Sequence, residues 1–285
     1  MPNTENSNLP IVVPDSLYDE RSRPFLRWAG SKQRLLAQII PLIPKSFGRY
    51  YEPFLGSGAL FFALEPDRAT LSDVSTELVE TWRSVRDHCK DLCDYLDPLK
   101  PSKELFYQIR SGRSSEYPRR AGEFLYLNKT CWNGLYRVNG KGEFNVPYGA
   151  PQSDFIFDRA NLIRCSRLIS KKNISILNVD FRVSLKSVRE GDLVFLDPPY
   201  VTKHNFNGFR DWNEQLFSWA DQERLAATAK RLADKGAYVV VSNADHPDVA
   251  ELYTGFTRSS LERASTLASN AARRGRVTEA LFRSF

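Results

Sequence analysis

Apolar residues over 34–44 (RLLAQIIPLIP) recur at three- and four-residue intervals, which predicts an amphipathic helix. RYYEPF (49–54) then reads as a short strand entering the turn LGSG, and ALFFALEP (59–66) as a second helix. ATLSD (69–73) is the next strand. ELVETWRSVRDHCKDLCDYL (77–96) predicts one long helix that buries its leucines, its valines and Trp82. Such a βαβα series predicts a parallel sheet with helices on both faces, hence an α/β core.

The pattern changes from Pro98. ELFYQIRSG and EFLYLNKTCW are helical stretches, and the Gly- and Asn-rich run NGLYRVNGKGEFNVPYGAP follows, with VNGKGEF resembling a hairpin tip. After about Lys172 the α/β pattern resumes: strands ISILNVD and DLVFLD, the loop PPYVTKHNFNGFRDWN, a helix over DQERLAATAKRLADKG and the apolar strand AYVVVSN. The expected organisation is therefore a flexible extension at 1–22, a first core part at 23–97, an inserted module at 98–171 and a second core part at 172–285. No internal repeat or low-complexity tract interrupts it.

Composition narrows the functional classes. With 285 residues and 42% hydrophobic residues the chain can bury a large core without disulfides, and no apolar run approaches the roughly 20 residues needed to span a bilayer. The polar, Pro-punctuated start lacks the features of a secretory signal, so a cytoplasmic protein with no membrane partner is expected. Cys89, Cys93, Cys131 and Cys165 form no CxxC pair and read as reduced, structural thiols. His88, His204 and His246 are too scattered for a metal triad, and no metal is expected. The formal charge of +6 favours an anionic partner. Basic residues gather at 110–120, at 129–141 and at 258–276, a distribution that suits a groove around a polyanion or, alternatively, solvated charged faces.

Ligands of open α/β sheets sit beyond the carboxyl ends of the strands. Glu52-Pro53-Phe54-Leu55-Gly56-Ser57-Gly58 occupies such a place. The third glycine of a dinucleotide fingerprint falls on Phe61, so a nucleoside cofactor without a pyrophosphate fits better. Asp73 ends the following strand, where it either accepts from ribose hydroxyls or caps the helix beginning at Thr76. In FLRWAGSK, Trp28 and Lys32 flank a small-residue turn: an indole can cover a cationic or apolar ligand face and a lysine can hold a carboxylate, unless the tryptophan is simply core. Asp180 and Phe181, after ISILNVD, can serve an adenine through an accepted N6 hydrogen bond and a ring contact, or form a plain strand-end turn. S-adenosylmethionine carries a sulfonium, a carboxylate, a ribose and an adenine, and matches this set.

The segment most informative about chemistry is Asp197-Pro198-Pro199-Tyr200, directly after the apolar strand LVFL. On one reading the two prolines simply stop the strand. They also make a stiff corner carrying a carboxylate, a carbonyl and an aromatic ring. An exocyclic amino nitrogen is a poor nucleophile because its lone pair is delocalised into the ring. The Asp197 carboxylate and the Pro198 carbonyl can accept its two hydrogens and aim the lone pair at a methyl group, so that rate comes from positioning and preorganised electrostatics. Asp197 need not be a strong base, since the nitrogen becomes acidic only after methylation. Tyr200 can stack on the target base, which must leave a duplex to be reached.

In these motifs the chain resembles the Dam-like family (D12 class, alpha group) of site-specific DNA adenine-N6 methyltransferases. FLRWAGSK, YYEPFLGSG, LSDVSTEL, LNKTCWNGLYRVNGKGEFNVPYGAP, DLVFLDPPY and VVVSNADHP occur in the family's order, from about Pro24 to the C-terminus. The resemblance implies a Rossmann-like S-adenosylmethionine-dependent methyltransferase fold with an inserted, mainly helical target-recognition domain bearing a β-hairpin. It implies that Trp28, Lys32, Asp73 and Asp197 bind the methyl donor region, to which the residue-level reading adds Glu52, Phe54, Gly56, Gly58, Asp180 and Phe181. Asp197, Pro198 and Tyr200 hold the target adenine. In the central motif it implies Lys129 near a phosphate, Trp132 and Asn133 at the disrupted base pair, and Leu135 and Arg137 at bases, with Asn139 and Lys141 on the same hairpin. Arg27 is a further candidate base reader, in a place where GATC-specific relatives often carry lysine, and Trp132 replaces a common tyrosine. Arginine also reads guanine bidentately, so these changes leave GATC open as one candidate target. The implied partners are double-stranded DNA and, in some settings, a restriction endonuclease, for a monomer or weak dimer in the nucleoid-bearing cytoplasm. Rival readings are cytosine N4 or RNA amino methylation, or a DNA-binding module without activity; a cytosine-C5 enzyme is disfavoured because no Pro-Cys pair exists.

Overall fold

The computed structural model describes residues 11–12, 21–154, 156–202, 217–264 and 276–285. Most of the expected extension at 1–22, the loop beyond Thr202 with His204, and the 265–275 part of the third basic cluster lie outside the described residues.

A two-stranded antiparallel pair joins β1 (Ile11–Val12) to β2 (Ser46–Phe47). The main sheet comprises β3 (Tyr50–Glu52), β4 (Ala69–Asp73), β5 (Ile174–Asn178), β6 (Leu193–Leu196), β7 (Tyr238–Ala244), β8 (Thr257–Ala264) and β9 (Arg276–Arg283). Their spatial order is β5-β4-β3-β6-β7-β9-β8. The first five are mutually parallel, whereas β9 runs antiparallel to both β7 and β8. This is a Rossmann-like α/β architecture. All four residues of β6 are buried, as expected of a strand covered on both faces. From β3 the chain builds outward through β4 and β5, then returns to lay β6 on the other side of β3. The carboxyl ends of β3 and β6 therefore form a topological switch point, where open α/β sheets bind ligands.

The helices are α1 (Leu36–Ile39), α2 (Ala59–Leu64), α3 (Thr76–Asp87), α4 (Cys89–Leu96), α5 (Lys103–Ser111), α6 (Arg119–Thr130), α7 (Arg159–Ile169), α8 (Phe181–Ser184), α9 (Trp219–Asp234) and α10 (Pro247–Leu252). Two apolar clusters sandwich the sheet. One gathers Phe61, Phe62, Trp82 and Leu92 with Phe106, Leu125, Phe144 and Leu162, so helices of the 98–171 segment share a core with α2–α4. The other lies under α8–α10 around Tyr51, Leu196, Val239 and Phe282.

Two helix expectations are corrected. The helix over 34–44 is only one α-helical turn, α1, between 3-10 turns at Lys32–Arg34 and Ile40–Leu42, because Pro41 has no N–H to donate and its ring crowds the preceding turn. The helix over 77–96 is two helices that break at His88, whose backbone leaves the helical region at φ −131° and ψ 33°. At the expected hairpin tip a single antiparallel bridge joins Val138 to Phe144, and Asn139 N donates to Glu143 O at 2.9 Å. Sequence patterning anticipated none of α7, α10, β8 and β9.

Candidate active site

Three sequence-distant segments meet above the switch point. The turn after β3 needs left-handed backbone at Gly56 (φ 47°) and Gly58 (φ 63°). A Cβ on Gly56 would come within 2.7 Å of Trp28 Cδ1, and one on Gly58 within 2.6 Å of Trp82. Trp82 Nε1 also donates to Gly56 O at 3.2 Å, which fixes the turn from below. Ser57 Oγ donates to Ser31 Oγ at 2.8 Å, tying the turn to FLRWAGSK. Trp28 is half-buried and stacks on Tyr136 with ring centroids 5.3 Å apart, which brings the inserted segment to the same rim.

Asp73 does not cap α3. Ser75 does, accepting from Leu78 N at 3.4 Å, while Asp73 Oδ1 accepts from Ser75 N at 2.9 Å and Oδ2 from Gly56 N at 3.2 Å. These bonds aim the carboxylate across the end of β4, and each oxygen keeps a lone pair for a hydroxyl. Phe54 packs on Phe181 at 5.7 Å and Phe217 at 5.6 Å. Phe181 is buried, and the Asp180 carboxylate caps α8 and pairs with Arg182 Nε at 2.8 Å. Glu52 lies beneath the turn, 3% exposed, accepting from Tyr50 Oη at 3.0 Å and from the Phe61 amide. Burial pushes its carboxyl up to about 8. A glycine turn without room for side chains, an indole on one side and a carboxylate at the end of β4 suit a nucleoside with free ribose hydroxyls, so the residues present fit S-adenosylmethionine.

The 197–200 corner closes the opposite side. Lys32, 3% exposed, donates to Asp197 Oδ1 and to Gly30 O, both at 2.7 Å, and lies 3.4 Å from Glu279 Oε2. The lysine thus braces the corner's own carboxylate. Burial pushes Asp197 up to about 6 even though the Lys32 ammonium pulls it down. Tyr200 Oη donates to Glu279 Oε2 at 2.6 Å and lies 2.9 Å from Ser242 Oγ; the Lys32 ammonium sits 5.0 Å from the centre of its ring. Gln222 Nε2 donates to Pro199 O at 3.2 Å and receives Asn243 Nδ2 at 3.0 Å on its own oxygen. Sequence reasoning missed Gln222, Ser242, Asn243 and Glu279. The only signal was a polar residue within an otherwise apolar stretch, as in TEALF and VVVSN.

On the inserted segment Trp132 is 51% exposed, Asn133 adopts φ 53° and Arg137 is exposed with its Nε donating to Asn145 Oδ1 at 2.8 Å. Leu135 is half-buried, Asn139 Oδ1 accepts from the amides of Lys141 and Glu143, and Lys141 is exposed. The Asn128 carboxamide, fully buried, accepts from Arg27 N and donates to Arg27 O, each at 2.8 Å, so Arg27 joins this rim by a bond the sequence did not reveal. Lys129 is pushed down to about 8 by burial and by the Arg27 guanidinium. The 110–120 cluster is different. Arg113 and Arg120 pair with Glu77 and Arg119 with Glu123, so much of that charge is spent inside the protein. Arg258 likewise pairs with Asp245.

Residues 28–267 match the D12 class N6 adenine-specific DNA methyltransferase family. The chain belongs to that family, and it is an adenine-specific, S-adenosylmethionine-dependent DNA methyltransferase. Among its relatives are the type II methyltransferase M1.LlaDCHI of Lactococcus lactis subsp. cremoris, 36% identical over 90% of this chain and 93% of that one. The type II methyltransferase M.MjaIII of Methanocaldococcus jannaschii is 36% identical over 82% and 89%. A DNA adenine methylase of Haemophilus influenzae is 31% identical over 91% and 92%. Among the described residues no helix is long and apolar enough to cross a membrane.

Proposed function

We propose that this enzyme methylates N6 of an adenine turned out of duplex DNA at a short fixed sequence, GATC being the first site to test. The observation that carries the reading is the partly buried Asp197, braced by Lys32 at 2.7 Å on a proline corner facing the glycine turn and Asp73. Trp28, Gly56, Gly58 and Asp73 would hold the methyl donor, with Phe54, Asp180 and Phe181 at its adenine end and Glu52 supporting the turn from below. When bound, the donor supplies an electrophilic methyl group on sulfur. The protein contributes orientation: Asp197 and the Pro198 carbonyl accept the two amino hydrogens, and Tyr200 stacks on the base with the face that Lys32 leaves to it. A base inside a duplex cannot reach such a corner, hence the flip.

Residues 98–171 act in this reading as the target-recognition domain. Exposed Trp132, with Asn133 beside it, fills the gap left by the flipped base. Leu135, Arg137, Asn139 and Lys141 follow the hairpin into the groove, Arg27 reads a further base, and Lys129 meets a phosphate. Two relatives are type II methyltransferases, which supports a partner endonuclease for this chain as well. The enzyme works as a monomer or weak dimer on nucleoid DNA. Purified protein incubated with labelled methyl donor and unmethylated genomic DNA, followed by nucleoside mass spectrometry and base-resolved mapping, tests the proposal. N6-methyladenine at one short motif supports it. N4-methylcytosine, or label in RNA alone, overturns it.

A further inference from the structure

Glu279 stands in β9 beside the fully buried Ala280 and Leu281, and is itself only 3% exposed. An anion there is costly unless donors and cations meet it. Tyr200 Oη donates to Oε2 at 2.6 Å and Lys32 Nζ lies 3.4 Å from the same oxygen. Lys32 also holds Asp197 at 2.7 Å, so one carboxylate oxygen connects to both side chains that define the catalytic corner. The register of the sheet makes this meeting specific. Ser242 pairs with Leu281 and Ala244 with Glu279, so Ser242 and Glu279 share a face and both reach the Tyr200 hydroxyl. A phenol ring can rotate about two bonds, and anchoring its hydroxyl removes that freedom and fixes the ring plane.

We propose that Glu279 is a positioning residue for methyl transfer: it sets the plane of Tyr200 against which the target adenine stacks and, through Lys32, the orientation of the Asp197 carboxylate. The proposal rests on the assignment of Asp197 and Tyr200 to the target base. A carboxylate suits the position better than an amide, because it accepts from the phenol and the ammonium at once without presenting a donor to either.

The test compares single-turnover methylation at saturating DNA and S-adenosylmethionine, together with the dissociation constant of each, for Glu279→Gln, Tyr200→Phe, the double variant and Asp197→Ala. Glu279→Gln should slow the single-turnover rate by about 10- to 100-fold, the loss expected for one charge-assisted buried hydrogen bond, while both dissociation constants stay within about threefold. Tyr200→Phe should slow it comparably, and the double variant should be little slower than the worse single one, because both remove the same contact. A wild-type rate for Glu279→Gln, fully multiplicative losses in the double variant, or a loss confined to binding overturns the proposal. If Glu279→Gln does not fold, Tyr200→Phe alone decides, since it deletes only the hydroxyl that Glu279 accepts from; an unchanged rate is then fatal. Activity in Asp197→Ala would instead bring down the assignment of the corner itself.

Discussion

Asp197 is partly buried and Glu52 buried, and their surroundings give the two carboxyl groups different tasks. Asp197 is braced by an ammonium and pushed up to about 6, so near neutral pH it is ionised and can accept from an amino group. Protonation removes that acceptor: kcat/KM should fall as pH drops below about 6, and Asp197→Ala should fold and bind DNA yet lose transfer by about three orders of magnitude or more, as assayed with labelled donor. Glu52 meets a phenol and an amide, and burial pushes it from its ordinary 4.5 up to about 8. Across that window the folded state binds a proton that the unfolded chain has released. Its stabilising effect is fully present below 4.5 and is lost as pH rises through 8. Glu52→Gln should therefore resist denaturant better than the wild type above pH 8, and the two should converge below pH 4.5. Chemical unfolding at a series of pH values checks this, and a constant gap would refute it.

At the scale of elements, the glycine turn after β3 shows how tightly local conformation and packing are joined. Gly58 combines φ 63° with a Trp82 ring edge 2.6 Å from where a Cβ would stand. Gly58→Ala must strain the backbone and displace the indole that holds Gly56 O, so it should lower the melting temperature by on the order of 5 °C and weaken binding of the methyl donor. Calorimetry and isothermal titration would show both effects. This turn, β3, β4 and the β6 corner were legible in the sequence because short apolar runs ending in Gly, Asp or Pro state their own conformation. Other features were not. The His88 break depends on how α3 and α4 each pack against the helices of the inserted segment. β8 and β9 carry arginines, serines and glutamates that blur strand alternation, and only the pairing of β9 with β7 and of β8 with β9 reveals them. Glu279, Gln222 and Asn128 sit far in sequence from the residues they hold, so no local pattern could announce which partners they meet.

For the whole molecule, the question is where a net charge of +6 does its work. The 110–120 arginines largely neutralise Glu77 and Glu123 and so fasten the inserted helices to α3 and within α6. Lys129 is instead depressed, first by burial and then by the Arg27 guanidinium, and two cations that disfavour each other's charge favour an anion between them. If that anion is a DNA phosphate, the ammonium must be charged for contact. Wild-type affinity should then fall as pH rises through 8, whereas Lys129→Gln should bind more weakly at pH 7 and lack that decline. Fluorescence anisotropy over a salt series would distinguish this residue from a base reader. Lys129→Gln should weaken cognate and non-cognate duplexes alike and lower the salt slope by about 0.9. Arg137→Ala, on the exposed hairpin, should leave non-cognate binding nearly unchanged and cost about 1 to 3 kcal/mol of discrimination at a single base pair. Equal losses on every sequence for Arg137→Ala would move it to the phosphate set and leave Arg27, latched to the inserted segment by Asn128, as the first guanidinium to test for base recognition.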